Sequence, residues 1–165
     1  MPKIEVNEQL FFGILGREYG HDGLEKLLMT AKAELDEWKK DSDSAEDRVI
    51  KIELNDTNRP DLWSTAGLAR ALRTYEGGAI SDYPFFSREG DIREAAYRVV
   101  VDPSVKSVRP FIAAFVISGK AISEPMLKDI IQTQEKLCWN FGRRRRSISM
   151  GIYRTSLINW PVIYK

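Results

Sequence analysis

Cysteine and histidine are almost missing from this chain. Among its 165 residues there is one cysteine, Cys138, and one histidine, His21. A single cysteine closes no internal disulfide and builds no multi-cysteine zinc site. A single histidine rules out histidine clusters for metals and leaves only His21 for any Ser-His-Asp triad. An excess of charge of one sign is lacking too. The 25 Lys and Arg nearly balance the 24 Asp and Glu, for a net +1, so no global basic field announces nucleic acid and any positive patch is local. No apolar run approaches the ~20 residues that a membrane span requires. The start, Met1-Pro-Lys-Ile-Glu5, has no apolar signal-peptide centre. The expected setting is the cytoplasm, with no membrane partner.

What is present is ordinary globular material. With 43% hydrophobic and 30% charged residues, the chain differs from the apolar-poor, highly charged composition of disordered proteins. Its length suits one domain or two small ones.

Residues 3–6 read as a strand, and Asn7 is placed to cap a short helix through Leu15. Leu24, Leu27, Leu28, Ala31, Leu35 and Trp38 recur at spacings of three and four. That predicts one helix over 24–38, with Asp22 as its N-cap. Residues 40–47 are a charged loop and 49–54 a strand. Pro60 and Asp61 then begin a helix, with Asp61 as its cap, and Gly77-Gly78 ends it near Tyr75. The turn-rich stretch 77–90 is the expected linker between a domain at 1–76 and a second at 91–165. In the second, 95–101, 111–117 and 147–153 read as strands. Ser123 opens a helix whose Leu127, Ile130, Ile131, Gln134, Leu137, Cys138 and Phe141 face inward, and Gly142 closes it. Residues 159–165 form an apolar strand-like segment with nothing after it as cover. Complete domains cover such edges, so the expectation is a fragment of a larger α/β domain.

Arg143, Arg144, Arg145 and Arg146 are the candidate contact site. Arginine grips phosphates bidentately, but four of them after a helix also answer the negative end of its dipole. Structural or inter-subunit ion pairing and RNA contact both stay open, with the former favoured. The two carboxylates in Asn55-Asp56-Thr57-Asn58-Arg59-Pro60-Asp61 invite a hard-cation reading. A turn network with a helix cap explains them more simply. Asp36, Glu37, Asp41, Asp43, Glu46 and Asp47 lack the glycine and terminal glutamate of a calcium loop and read as a solvated surface. Gly13-x-x-Gly16 is followed by no Lys-Ser/Thr and is no phosphate loop. His21, in a turn, is read as exposed, and Cys138 as a buried inert thiol. No residue is assigned to catalysis, to a cofactor or to a metal.

Four blocks carry a family resemblance. They are Asn58-Arg-Pro-Asp-Leu62 with Gly67-Leu-Ala-Arg70; Glu34-Leu-Asp-Glu37; Val108-Arg-Pro-Phe-Ile-Ala-Ala114; and Gln134-Glu-Lys-Leu137 followed by the four arginines. In this order, and with the opening Met1-Pro-Lys-Ile-Glu-Val6, they resemble the β subunit of phenylalanyl-tRNA synthetase. Within that family the archaeal and eukaryotic type is the most similar. The resemblance spans nearly the whole chain. It implies an α+β fold, with a small winged-helix-like helical domain followed by the beginning of an α/β editing domain. It implies an N-terminal, non-catalytic portion of a subunit that joins an α subunit in an α2β2 heterotetramer. That enzyme charges phenylalanine tRNA using ATP and magnesium, and edits mischarged tyrosyl-tRNA. The editing pocket and the magnesium carboxylates would lie further along the chain. A free-standing RNA-binding or trans-editing module derived from that subunit is the alternative.

Overall fold

The computed structural model describes residues 3–39, 48–56, 58–80, 97–119 and 121–165. The expected loop at 40–47, most of the linker and the start of the 95–101 strand lie outside them. The chain divides into two compact units, Met1–Ser81 with Ile122–Met150, and Asp82–Ala121 with Gly151–Lys165. This is not the division at 1–76 and 91–165. A later segment of the chain returns to complete the first unit.

That unit is built on an antiparallel sheet in the order β1 (Lys3–Asn7), β3 (Val49–Leu54), β2 (Ala33–Lys39). Ile4 and Val6 of β1, with Ile50, Ile52 and Leu54 of β3, alternate with solvated residues and share one buried face. This is the period of two expected of a half-buried sheet. Three helices supply most of the rest of the core, α1 (Glu8–Leu15), α2 (His21–Met29) and α3 (Thr65–Tyr75). Phe11, Leu24, Leu28, Leu68 and Leu72 are buried in the same cluster. Three helices on a three-stranded antiparallel sheet is the winged-helix-like arrangement expected of the first part.

The caps explain where these helices start, and they correct two expectations. Asn7 Oδ1 accepts the Leu10 N–H at 2.9 Å, as expected. The cap of α2 is Gly20, not Asp22, which lies in the first turn of the helix. The cap of α3 is Ser64, whose Oγ accepts the Gly67 N–H at 3.0 Å. Asp61 belongs instead to a 3-10 turn, Pro60–Leu62. That turn crosses so close to α3 that a Cβ on Gly67 would overlap the Asp61 carbonyl oxygen. Residue 67 is glycine because no side chain fits there. Gly77, at φ +85°, and Gly78 end α3 as predicted.

The expected single helix over 24–38 is two elements. It ends at Met29, turns through Lys32 at φ +52°, and continues as β2. Pairing with β3 outweighs the helix propensity of Glu34, Leu35 and Lys39, the usual override of a weak local preference. The register of β2 shifts between Leu35 and Glu37. Such a bulge breaks strict alternation and lets the three-four spacing imitate a helix.

Ser123 caps α4 (Glu124–Lys136) as expected. The helix then widens into a π turn, Leu137–Phe141, which Gly142 closes. The predicted inward face is only partly right. Cys138 is buried and Leu137 packs on the core, whereas Leu127 (44%), Ile131 (47%) and Phe141 (58%) are exposed. Polar groups hold α4 to the sheet instead. The Gln132 amide bonds both backbone groups of Glu5, donating to its carbonyl and accepting its N–H, each at 2.8 Å. Because β1 is an edge strand, this amide occupies backbone groups that would otherwise be open to another strand. Asp129 Oδ1 accepts the Thr65 N–H at 2.9 Å, one of the donors left free in the first turn of a helix. Burial lowers the Lys136 pKa, opposed by the Glu5 charge.

In the second unit, β4 (Val99–Val101) pairs in parallel with β5 (Val162–Tyr164). A 3-10 turn, Pro103–Ser107, follows β4, capped by Asp102, whose carboxylate accepts the Ser104 N–H at 2.8 Å. The Tyr97 and Trp160 rings meet at 5.0 Å. The strands expected at 111–117 and 147–153 are not formed. Their composition suits a pleated surface, but a strand needs a partner ladder, and among the described residues none pairs with them. Phe111 is 91% exposed.

Candidate functional site at the basic turn

The four arginines come directly after the π turn. Arg143, Arg144 and Arg145 all take left-handed backbone, at φ +51°, +57° and +64°. For non-glycine residues this conformation costs about 1–2 kcal/mol each. It persists because the turn folds back on the helix end. The N–H groups of Arg143, Arg144 and Arg145 bond the carbonyls of Asn140, Trp139 and Cys138 at 3.2, 2.7 and 2.8 Å. Carbonyls that a helix C-terminus leaves without partners are thereby satisfied. Gly142 is buried under this fold, and a Cβ there would overlap the Cys138 and Ile148 carbonyl oxygens.

These backbone donors point into the helix end and cannot cradle an anion. The side chains all point to solvent. Arg145 pairs with Glu135, and the Arg144 guanidinium lies 5.6 Å from the centre of the Trp139 ring. Arg143 and Arg146 have no carboxylate partner among the described residues. Structural ion pairing therefore accounts for one arginine of the four. Trp139 (55% exposed) and Phe141 flank the turn, and neither is among the candidate residues the sequence suggests.

The sequence carries a signal that would have drawn attention here. Residues 136–165 hold seven of the 25 Lys and Arg and none of the 24 Asp and Glu. A net charge near zero conceals this segregation.

The other candidates are structural or solvated in character. Arg59 donates to both carboxylate oxygens of Asp61, at 2.9 and 2.7 Å, and this guanidinium holds the Asp61 carboxyl below the usual carboxylate range. Asn55 donates to Glu34 at 2.7 Å, and Lys32 pairs with Asp56 at 3.3 Å, a turn network as expected. Hydrogen bonding from Lys51 lowers the Glu37 pKa. Asp41, Asp43, Glu46 and Asp47 lie outside the described residues. His21, Asp22 and Glu25 come together on the first turn of α2 with all three exposed, and the His21 ring lies 6.2 Å from that of Trp38. Three exposed groups on one helical turn offer no enclosed cation site. Among the described residues, no helix is long and apolar enough to cross a membrane.

Comparison with known proteins defines the class first. Residues 1–78 match the family model for the Phe-tRNA synthetase beta subunit B1 domain. The similarity then continues through the rest of the chain. A phenylalanine–tRNA ligase beta subunit of Borreliella burgdorferi is 43% identical over 164 residues, covering 99% of this chain and 28% of that protein. That of Treponema pallidum is 44% identical, covering the whole chain and 33% of its length. The crystal structure of an N-terminal fragment of the Pyrococcus horikoshii phenylalanyl-tRNA synthetase beta subunit superposes with a TM-score of 0.82 at 32% identity. It covers 98% of this chain and 44% of that one. Along nearly its whole length the chain is similar to the N-terminal region of phenylalanyl-tRNA synthetase beta subunits, and its first 78 residues match that family's B1 domain. It spans about a third or less of the length of the curated relatives it matches.

Proposed function

We propose that this chain is the non-catalytic framework at the start of a phenylalanine–tRNA ligase beta subunit. In the assembled enzyme it supports ATP-dependent charging of tRNA with phenylalanine and the editing of mischarged tyrosyl-tRNA. The second compact unit, residues 82–121 with 151–165, begins the editing domain, and an α subunit completes an α2β2 assembly. Magnesium and ATP act in parts of the enzyme outside this segment. The observation that carries this reading is the return of 122–150 to the first unit. Gln132 and Asp129 bond β1 and α3 across more than 60 residues of sequence, so one packed unit ties the two parts of the chain together. A segment so arranged is suited to a framework role.

A graft tests this reading. The chain replaces the matching N-terminal region of the Treponema pallidum subunit, which is co-expressed with its α subunit. The expected result is co-elution of both subunits and phenylalanine charging within a few-fold of the parent. A soluble graft that binds no α subunit and charges no tRNA would overturn it.

A further inference from the structure

We propose that the basic turn and its flanking rings form a binding surface for a single-stranded RNA segment. Phosphates would lie on Arg143 and Arg146, and a base on the Trp139 ring beside Arg144. The inference deepens the reading above, since it rests on the chain serving an enzyme whose substrate is an RNA.

Three observations support it. The turn is rigid, because successive left-handed residues are each bonded back to the helix end, so the guanidinium groups start from a fixed platform. Two of those groups are unclaimed by carboxylates among the described residues, and a third already lies over an exposed indole. A guanidinium over a half-exposed aromatic ring matches a nucleotide, which presents a phosphate and a π surface together. The segment from 136 onward has no acidic residue to repel a polyanion.

The opposing term is small. The C-terminus of α4 carries about half a negative charge, and Glu135 adds one more, against four arginines. An acidic protein partner would satisfy the charges but would bring no base to the half-exposed indole beside its Arg144 contact. Duplex RNA offers phosphates but no free base. The pairing of charge with ring therefore favours an unpaired strand.

The test uses the 165-residue chain and a labelled 12-nucleotide single strand of mixed sequence, alone and annealed to its complement. Weak binding is expected near physiological salt, within the ~10⁻⁴–10⁻⁶ M range of non-specific contacts. The strand should bind better than the duplex. The logarithmic salt slope should be about −1.4 to −2.1, at ~0.7 for each of two or three phosphates. Arg143→Asn with Arg146→Ser should weaken binding about tenfold or more and flatten the slope by about 1.4. Asn suits the left-handed position, so the turn is kept. Lysine at both positions should preserve the slope. Trp139→Leu should cost roughly fivefold or more, the loss of one stacked base, with the slope unchanged.

Variants that fold like the parent but bind RNA equally well would overturn the proposal. So would equal binding of duplex and strand with no effect of Trp139→Leu. The same double variant placed in the graft separates an acidic-partner surface. Lost α-subunit co-elution with unchanged RNA binding would assign the turn to a subunit contact, overturning this inference and leaving the proposed function standing.

Discussion

The amide of Gln132 gives a sharp test of how the later segment closes the first unit. It makes two hydrogen bonds of 2.8 Å to the backbone of Glu5 on the open edge of β1. Gln132→Leu keeps the volume of the side chain and deletes both. A typical intramolecular hydrogen bond contributes about 0.5–1.5 kcal/mol net. Glu5 is exposed, so water can replace the amide and the lower half of that range applies. The expected loss is about 1–2 kcal/mol for the pair. In urea it appears as a lower midpoint with an unchanged m-value, and in hydrogen exchange as faster loss of the Glu5 amide proton.

Gln132→Glu adds a signed control. As a carboxylate it still accepts the Glu5 N–H but cannot donate to the Glu5 carbonyl, and it faces the Glu5 charge. Protonation restores the donor. The deficit of Gln132→Glu should therefore shrink as pH falls through the carboxyl range, while that of Gln132→Leu does not. A loss on Gln132→Leu below about 0.5 kcal/mol, the floor for one such bond, with unchanged Glu5 exchange, would refute the clamp.

Ser64→Ala should lower stability by about 1 kcal/mol, the usual loss of an N-cap, whereas Asp61→Ala should cost less, because an exposed ion pair contributes about 0–1 kcal/mol. Urea melts of both at neutral pH check the order, and Asp61→Ala proving the costlier would restore Asp61 as a cap. The Arg59–Asp61 contribution, with its lowered folded pKa, is present above the unfolded carboxyl pKa and should be lost as pH falls through the lower folded value. Burial lowers the Lys136 pKa, so the unfolded chain holds that proton more tightly and stability should rise with pH between the folded and unfolded values. Lys136→Met should abolish that rise without destabilising the protein at neutral pH, and melts across the alkaline range measure both.

Much of the local structure was legible in the sequence. Asn7, Ser123, Gly77 and Gly142 announce helix ends by chemistry that acts within four residues. The β-rich composition of Val49–Leu54 announces a strand, which the structure forms. What misled was spacing read without partners. Leu35 and Trp38 keep a helical interval only because β2 is bulged, and Asp61 looks like a cap only if the chain turns once instead of twice. The seating of α4 was not legible. It docks through Asp129 and Gln132, polar residues that periodicity assigns to solvent, while Leu127 and Ile131 are exposed. At the candidate site the arginines stood out, but Trp139 was counted with neither the core nor the site. The left-handed run that presents the arginines has no signature in residue type.

The central claim is that this chain is a framework and not a catalyst. The most direct measurement is phenylalanine-dependent ATP–pyrophosphate exchange by the purified chain, beside the graft assembled with its α subunit. A blank is predicted for the chain and clear exchange for the assembly. Exchange by the chain alone, above a control without phenylalanine, would contradict the claim.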